Sequence, residues 1–297
     1  MANATNALPG DIRRPSRGTP SVLTEAELDR FRDEGFVVPS FRLSNDEVAR
    51  LQGMILRLVA DNPQFEDFLM QGPHVPGTGG LGLKSFPGWM EFAAHPKILD
   101  MIEQIMGPDI ILRGTAAFYK RAGQGPATAW HRDATGQAIK PLRGTHVWIA
   151  ASDTRVENAC LRFIPGSQKA QVLGTHKVGD FDRRHPDGSI GQAVLEKDQF
   201  DESQAVSVEV EAGQMIIFDL FTIHGSWPNS GDRERASYAL RYMPAASFYD
   251  HDAASPEKRE SNRNKGYGHH MRPLFLVRGE NRAGSDLSRG HPEQGNA

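Results

Sequence analysis

The stretch Ala129-Trp130-His131-Arg132-Asp133 places an imidazole and a carboxylate two residues apart. Side chains two apart in a strand project to the same face, so His131 and Asp133 would share one surface. A second histidine on that surface would complete a facial triad of two histidines and one carboxylate. This triad leaves metal positions open and is typical of non-haem Fe(II) oxygenases. The candidate third ligand is His224.

Two strand-like segments would carry the remaining chemistry. Residues 215–223, just before His224, are rich in β-branched and aromatic side chains, which predicts a buried strand and a rigidly held imidazole. Gly225 follows and permits a sharp turn or the close approach of a ligand. Arg235 opens an alternating run that ends at Tyr242, a second strand signal. An arginine beside a metal suits a carboxylate, which the guanidinium binds in a bidentate manner.

Several spaced segments together resemble the phytanoyl-CoA dioxygenase family of Fe(II)- and 2-oxoglutarate-dependent oxygenases. The segments are 28–38, Trp130-His131-Arg132-Asp133, 158–167, His224-Gly225-Ser226, and Arg235 with Leu240-Arg241-Tyr242. The resemblance implies a mainly β fold with flanking α-helices around a double-stranded β-helix, the jelly-roll, cupin-like core of these oxygenases. It covers about residues 24 to 280, nearly the whole chain.

The resemblance also implies a reaction. His131, Asp133 and His224 would bind Fe(II), with 2-oxoglutarate and dioxygen taking the open positions. Decarboxylation of 2-oxoglutarate to succinate and carbon dioxide would then drive hydroxylation of a substrate C–H bond. Desaturation, epoxidation and ring formation remain open alternatives. Asp133 argues against a halogenase, because halogenation in related oxygenases needs a small residue at that position.

Further residues are assigned to the cosubstrate through the same resemblance. Arg235, eleven positions after His224, would bind the remote carboxylate of 2-oxoglutarate. Thr222 and Ser226 flank His224 at two residues on either side, so strand alternation would aim both hydroxyls towards the same cavity. Trp148 resembles a tryptophan that borders the cosubstrate in relatives, although a core tryptophan is an alternative interpretation.

The remaining pattern predicts one domain with helices first and strands later. Capping boxes at Thr24 and Ser44 each begin a helix, and short strands separated by turn signals follow from residue 110 onward. We expect a mobile N-terminal tail over 1–20, an oxygenase domain over 21–280 and a mobile C-terminal tail over 281–297. Two Gly- and Pro-rich stretches, near 61–89 and 169–204, are candidate lid loops.

Composition limits the partners. The chain of 297 residues has 34 basic and 37 acidic residues, a net charge of -3, and a single cysteine, Cys160. This balance gives no reason to expect nucleic acid or a membrane as a partner, so we expect a small-molecule substrate. No compact basic run that would suit the phosphates of coenzyme A stands out. The absence of a signal peptide or long apolar span predicts a soluble, cytoplasmic protein, of unknown oligomeric state.

Two other function classes stay open. Taken singly, each histidine could serve local hydrogen bonding, Asp133 could cap a turn, and Arg235 could form a surface ion pair. A non-catalytic jelly-roll protein that binds a metal or a small ligand is therefore one alternative. The other is a cupin-like metalloenzyme that works without 2-oxoglutarate. The joint spacing of the triad and Arg235 favours the dioxygenase, and dependence on 2-oxoglutarate would distinguish the three.

Overall fold

Two antiparallel sheets pack face to face in the computed structural model, which describes residues 22–64, 69–75, 83–171, 195, 199–253 and 269–291. The strands are β1 (Phe36–Val37), β2 (Leu69–Gln71), β3 (Ile110–Lys120), β4 (Thr128–His131), β5 (Ile139–Lys140), β6 (Thr145–Ala150), β7 (Leu161–Phe163), β8 (Val206–Val208), β9 (Met215–Asp219), β10 (His224–Ser226), β11 (Arg235–Pro244), β12 (Phe248–Tyr249) and β13 (Phe275–Arg278). The larger sheet has the order β1-β9-β6-β11-β3-β13, with β2 also paired to β3. The smaller sheet has the order β4-β10-β7-β8, and β12 pairs with β5.

In the described part of the chain, four α-helices flank the larger sheet: α1 (Glu25–Glu34), α2 (Asn45–Asp61), α3 (Met90–Ala93) and α4 (Pro96–Met106). Both predicted capping boxes are present. The Thr24 and Ser44 hydroxyls each accept from the backbone N–H of a glutamate three residues on, and the carboxylate of that glutamate accepts from the backbone N–H of the capping residue. At the N-termini of α1 and α2, each capping box thus satisfies two of the free backbone donors.

Strand alternation divides the core into two layers. On β11, Tyr238, Leu240 and Tyr242 pack with the buried faces of the helices. Ala239, on the opposite face, packs between the sheets with a cluster that joins both of them. In that inner cluster the Phe163 ring of the smaller sheet lies 4.5 Å from the Phe36 ring of the larger one. The inner layer is therefore where side chains from the two sheets meet, and the prediction of a mainly β fold with flanking helices is confirmed.

The predicted strand over residues 215–223 is wrong in one respect, because the structure divides it. β9 ends at Asp219, whose carboxylate accepts from the Phe221 N–H at 2.8 Å. The Thr222 N–H donates to the Asp219 carbonyl at 2.9 Å, which closes a turn before β10 begins at His224. An aspartate that hydrogen-bonds the backbone two residues on favours a turn, and here that preference overrides the apolar pattern.

The two predicted lid loops lie only partly in the described residues. In the first, residues 69–71 form β2, which pairs with β3, where the sequence indicated no regular structure. Residues 65–68 and 76–82 lie outside the described part. Of the second, residues 172–194 and 196–198 lie outside it. Among its described residues, the Leu195 N–H donates to the Trp130 carbonyl at 2.9 Å, and the Phe200 ring packs 5.4 Å from the Trp130 ring.

The structure describes the first part of the predicted C-terminal tail. Residues 281–291 pack onto the sheet region: the Ala283 N–H donates to the Ala245 carbonyl at 2.8 Å, and Arg282 pairs with Asp109 at 3.0 Å. These contacts join the start of the predicted tail to the domain, and the boundary at residue 280 stays a prediction. The predicted tail over 1–20 and residues 292–297 lie outside the described residues. Among the helices that the structure describes, none combines the length and apolar character needed to cross a membrane.

Candidate active site

The two candidate histidines meet because their strands pair in the smaller sheet. His224 on β10 lies opposite His131 on β4, and their ring centroids are 4.2 Å apart. Asp133 lies close to both: its carboxylate oxygens are 3.7 Å from His131 Nε2 and 3.6 Å from His224 Nε2. The potential ligand atoms of all three residues lie within 4.8 Å of one another. One metal ion could contact all three.

Backbone carbonyls orient both imidazoles. His131 Nδ1 lies 2.9 Å from the Ala129 carbonyl, and His224 Nδ1 lies 2.9 Å from the Thr222 carbonyl. A carbonyl can only accept, so each Nδ1 carries the proton and each Nε2 keeps its lone pair for a metal. Burial, and then the neighbouring His131, lower the pKa of His224 to about 3, so its imidazole is neutral, as metal binding requires.

Asp133 is held by a chain of buried side chains. β4 ends at His131, so Asp133 lies in the following turn and not on the strand that the sequence predicted. His146 Nδ1 lies 2.7 Å from Asp133 Oδ2, and His146 Nε2 lies 2.6 Å from Arg113 Nη2. Because arginine can only donate, His146 Nε2 accepts and its Nδ1–H donates to the carboxylate. This contact fixes one carboxylate oxygen and leaves the other for a metal.

The same contacts keep the carboxylate ionised. Burial alone would raise the pKa of Asp133, but His146, and then His224 and His131, lower that pKa well below its usual range. Burial lowers the pKa of His146 itself to about 4, although Asp133 opposes the shift. Two histidines whose Nδ1 atoms face carbonyls, together with an ionised carboxylate, form the donor set that Fe(II) accepts in facial triads, so the residues fit this metal.

Aromatic side chains surround His224. The Phe218 ring lies 4.7 Å from the His224 ring, and the Phe163 ring stacks on it at 5.8 Å. Both phenylalanines belong to the inner cluster between the sheets. They fix the imidazole plane and exclude water from one side of the triad.

A second group of predicted residues comes together around Arg235. Arg235 is buried at 1% exposure, and its guanidinium lies 5.5 Å from the centre of the Trp148 ring. Its Nη1 donates to the Ala159 carbonyl at 2.6 Å, whereas its Nε has no hydrogen-bond partner among the described residues. No carboxylate in the described part of the chain forms an ion pair with Arg235. A buried guanidinium with an unused donor is suited to an anionic ligand.

Lys120 joins this group, although the sequence did not indicate it. It lies opposite Arg235 in the β3–β11 pairing and is fully buried. Its Nζ donates to Ser226 Oγ and to the Trp227 carbonyl, each at 2.9 Å. Burial, and then the charge of Arg235, lower the pKa of Lys120 well below its usual value. The sequence signal that could have identified it was a lysine at an inward-facing position of a predicted strand.

Thr222 lies elsewhere in the hydrogen-bond network. Its hydroxyl donates to the Gly35 carbonyl at 2.9 Å and is fully buried, so it ties the turn before β10 to the end of α1. Its assignment to the cosubstrate stays a prediction. The neighbouring Gln168 donates to the Arg32 carbonyl at 3.0 Å, near the C-terminus of the same helix.

Arg132, His146 and Arg113 are further residues that the sequence analysis did not single out. Arg132 Nη1 donates to the Ser167 carbonyl at 2.9 Å and to the Phe221 carbonyl at 3.0 Å, so it joins the loops on either side of the triad. The position of Arg132 between the candidate ligands His131 and Asp133 was the sequence signal that could have identified it. His146 sits at an inward position of β6, where strand alternation could have placed it.

Comparison with known families gives one clear match. The family model of phytanoyl-CoA dioxygenase (PhyH) matches residues 31–237, which is more than half of the chain and includes the triad and Arg235.

Curated relatives agree with this match. A "phytanoyl-CoA dioxygenase domain-containing protein 1 homolog" of Dictyostelium discoideum is 28% identical over 168 residues, which are 56% of this chain and 59% of that protein. The Danio rerio protein of the corresponding name is 24% identical over 275 residues, 75% of this chain and 90% of that protein. The chain spans about half the length of several other curated relatives that it matches.

Solved structures share the fold. The non-haem monooxygenase ThoJ is 25% identical with a TM-score of 0.63, over 89% of this chain and 88% of that one. EctD from S. alaskensis, solved with 2-oxoglutarate and 5-hydroxyectoine, is 19% identical with a TM-score of 0.62, over 78% of this chain and 80% of that one. The predicted jelly-roll, cupin-like core is thereby confirmed.

Proposed function

From its membership of the phytanoyl-CoA dioxygenase family, we propose that this chain is a non-haem Fe(II)- and 2-oxoglutarate-dependent dioxygenase that hydroxylates a C–H bond of a small organic metabolite. The observation that carries the proposal is the convergence of three metal-binding side chains within 4.8 Å, in the same inner layer as the buried Arg235. A pure binding module would not need both features.

In this proposal His131, Asp133 and His224 would hold Fe(II), and a metal bound by three side chains keeps positions for other ligands. The bound iron would supply the oxidising chemistry: dioxygen, 2-oxoglutarate and substrate C–H become succinate, carbon dioxide and substrate C–OH. The chain positions these groups. The carbonyls behind both histidines and the His146 contact behind Asp133 hold the ligands in one orientation before the metal binds.

Arg235 and Lys120 would bind the remote carboxylate of 2-oxoglutarate. Both cations are buried and lie opposite each other on β11 and β3. Ser226, already bonded to Lys120 Nζ, adds a hydroxyl, and Trp148 packs beside the guanidinium. Two buried like charges are costly without a counter-ion, so a dicarboxylate that reaches this pocket from the iron would relieve the repulsion.

The architecture around the site belongs to the same proposal. We assign residues 21–280 to one oxygenase domain, with the segments near 61–89 and 169–204 as lids over the substrate. Leu195 and Phe200 support the second lid, because both contact Trp130 beside His131. A cytoplasmic location is also proposed, supported by the buried, unpaired Cys160.

An anaerobic titration of the Fe(II)-loaded protein with 2-oxoglutarate tests the function. Chelation of iron by a 2-oxo acid produces a visible charge-transfer band, and we expect that band at one 2-oxoglutarate per iron. His131→Ala, Asp133→Ala and His224→Ala should each abolish it together with succinate formation. Arg235→Gln should keep iron but require a higher 2-oxoglutarate concentration for the band.

Two results would count against this function. A folded protein that binds one iron and shows no band at saturating 2-oxoglutarate would favour the metal-binding module or the cupin-like enzyme without a 2-oxo acid. An Ala variant of the triad with full iron-dependent succinate formation would remove that residue from the metal site.

A further inference from the structure

The turn that precedes β7 has an unusual backbone conformation at Ala159. Its φ is 72°, in the left-handed region that residues with a Cβ seldom adopt, and the residue is fully buried. Strained positions of this kind persist only where the surrounding structure holds them, and they are concentrated at functional sites. The contacts around Ala159 therefore need a physical reason.

The Ala159 carbonyl contacts the guanidinium of Arg235. Arg235 Nη1 donates to this carbonyl at 2.6 Å. Among the described residues it is the only hydrogen-bond acceptor of the guanidinium, whose Nε is buried without a partner. Because the guanidinium is planar, fixing one of its donors restricts the direction of the others. The orientation of Arg235 thus depends on where the Ala159 carbonyl lies.

Asn158 holds this turn through three backbone contacts. Its Oδ1 accepts from the Arg155 N–H at 2.6 Å, and its Nδ2 donates to the Asp153 carbonyl at 2.8 Å. The same Nδ2 donates to the Glu234 carbonyl at 3.4 Å. The side chain is buried at 1% exposure, and only this orientation of its amide satisfies all three groups. Asn158 therefore connects the strained turn to the residue immediately before Arg235.

The loop between β6 and β7 is bonded to β11 on both sides of Arg235. On one side Asn158 contacts the Glu234 carbonyl. On the other side Ser152 Oγ accepts from the Ala236 N–H at 2.9 Å. A functional side chain keeps its orientation when the residues around it are held in this way. Without the Asn158 amide, the left-handed turn would relax and the Ala159 carbonyl would shift relative to the guanidinium.

We propose that Asn158 is a positioning residue for the 2-oxoglutarate site. It holds the left-handed turn at Ala159, whose carbonyl occupies one donor of Arg235 and leaves the others for the remote carboxylate. The inference rests on the proposed Fe(II) and 2-oxoglutarate chemistry, and it adds a residue that determines selectivity for a dicarboxylate cosubstrate. A 2-oxo acid without the remote carboxylate, such as 2-oxobutyrate, would chelate the iron without using Arg235.

The test compares these two 2-oxo acids. Anaerobic Fe(II)-loaded protein is titrated separately with 2-oxoglutarate and with 2-oxobutyrate, and the charge-transfer band gives both dissociation constants. Asn158→Ala should raise the constant for 2-oxoglutarate by about tenfold, because the charge-assisted hydrogen bonds to its remote carboxylate lose their geometry. The constant for 2-oxobutyrate should not change. A merely structural role of Asn158 would weaken the binding of both acids alike.

Asn281→Ala is the matched control. The Asn281 amide also accepts from a backbone N–H and donates to a backbone carbonyl, both of Ser285 in the C-terminal segment. Both dissociation constants of this variant should equal those of wild type. If Asn158→Ala does not bind iron, Asn158→Ser takes its place. The serine hydroxyl can accept from the Arg155 N–H but cannot also reach the Glu234 carbonyl, and the same selective loss is expected.

A double variant tests whether Asn158 acts through Arg235. Arg235→Gln by itself should weaken 2-oxoglutarate binding selectively, as Asn158→Ala does. Adding Asn158→Ala to Arg235→Gln should weaken that binding no further, because the guanidinium that Asn158 positions is already gone.

Three results would overturn the positioning role: unchanged 2-oxoglutarate affinity in a folded Asn158 variant, equal weakening of both acids, or additive effects in the double variant. Wild-type protein that binds 2-oxobutyrate as tightly as 2-oxoglutarate would also overturn it, while the band would uphold the proposed function. If wild type shows no band with either acid, the proposed function itself fails, and the inference fails with it.

Discussion

His146 shows how one side chain outside the triad can determine the metal site. Its Nε2 accepts from Arg113 and its Nδ1–H donates to Asp133. Because arginine can only donate, this contact sets the tautomer with the proton on Nδ1. Without this contact, Asp133 would be free to rotate in the turn that follows β4. The contact therefore fixes the carboxylate as a single-oxygen ligand.

We predict that His146→Leu weakens Fe(II) binding about 10- to 100-fold, the usual effect of removing a partner that orients a metal ligand. Competition with a chromophoric chelator under anaerobic conditions measures the dissociation constant. His146→Asn is the matched control, because its amide nitrogen can donate from near the Nδ1 position. Wild-type iron affinity in the leucine variant would show that Asp133 needs no such support.

Lys120 allows a second test at this scale. We expect Lys120→Met to raise the 2-oxoglutarate dissociation constant by about tenfold, since one charge-assisted contact to the carboxylate is lost. Iron affinity should not change. The exposed neighbour Arg121 provides the control Arg121→Met, for which no effect is expected. Unchanged 2-oxoglutarate affinity in a folded Lys120→Met protein would leave Arg235 alone at the carboxylate.

At the scale of elements, the junction between α1 and β1 holds the turn that precedes His224. Gly35 ends α1 with a left-handed backbone, at φ 84°, and its carbonyl accepts from the Thr222 hydroxyl. A Cβ at this position would lie 2.5 Å from Gln168 Oε1 and 2.6 Å from Thr222 Oγ1. The position therefore requires glycine for both its backbone conformation and its surroundings.

Gly35→Ala should lower the free energy of unfolding by more than about 1 kcal/mol, because it adds backbone strain to a steric clash. Gly53→Ala is the control: Gly53 lies within α2, has nothing within 4 Å of an added Cβ, and should gain about 0.5–1 kcal/mol. Urea denaturation of both variants gives the comparison. Equal stability of Gly35→Ala and wild type would mean that the α1–β1 junction relaxes freely.

At the scale of the whole molecule, stability depends on pH through Asp219. Burial raises the pKa of this carboxyl from 3.8 to about 6. The folded state then binds a proton that the unfolded state has already lost between these two values, so stability falls as pH rises from about 4 to 6. Above pH 6 both states are ionised, and the full penalty remains.

Asp219→Asn should therefore stabilise the protein, relative to wild type, by about 1 kcal/mol more at pH 8 than at pH 5. Asparagine keeps an oxygen that can accept from the Phe221 N–H, so the turn is retained. Denaturation of both proteins at the two pH values measures the difference. A stability difference that does not depend on pH would show that Asp219 titrates normally.

The sequence by itself determined the local parts of this protein. The capping boxes at Thr24 and Ser44 depend on residues three apart, and the histidine–carboxylate spacing of His131 and Asp133 is equally local, so a short window of sequence contains each of them whole. The mainly β fold followed from the pattern of short strands, whereas the family resemblance assigned Arg235 to the cosubstrate, and that assignment stays a prediction. Asp219 broke the longest predicted strand, because a short polar contact overcame a pattern of apolar residues.

Only the tertiary structure decided which distant residues share a site. Lys120 meets Ser226 across 106 positions of sequence, and Arg113 meets His146 across 33. Arg235 likewise meets the Ala159 carbonyl across 76 positions, because the turn before β7 packs against the start of β11. Strand pairing between segments far apart sets such contacts, and it depends on the register of whole sheets, which no single window of sequence contains.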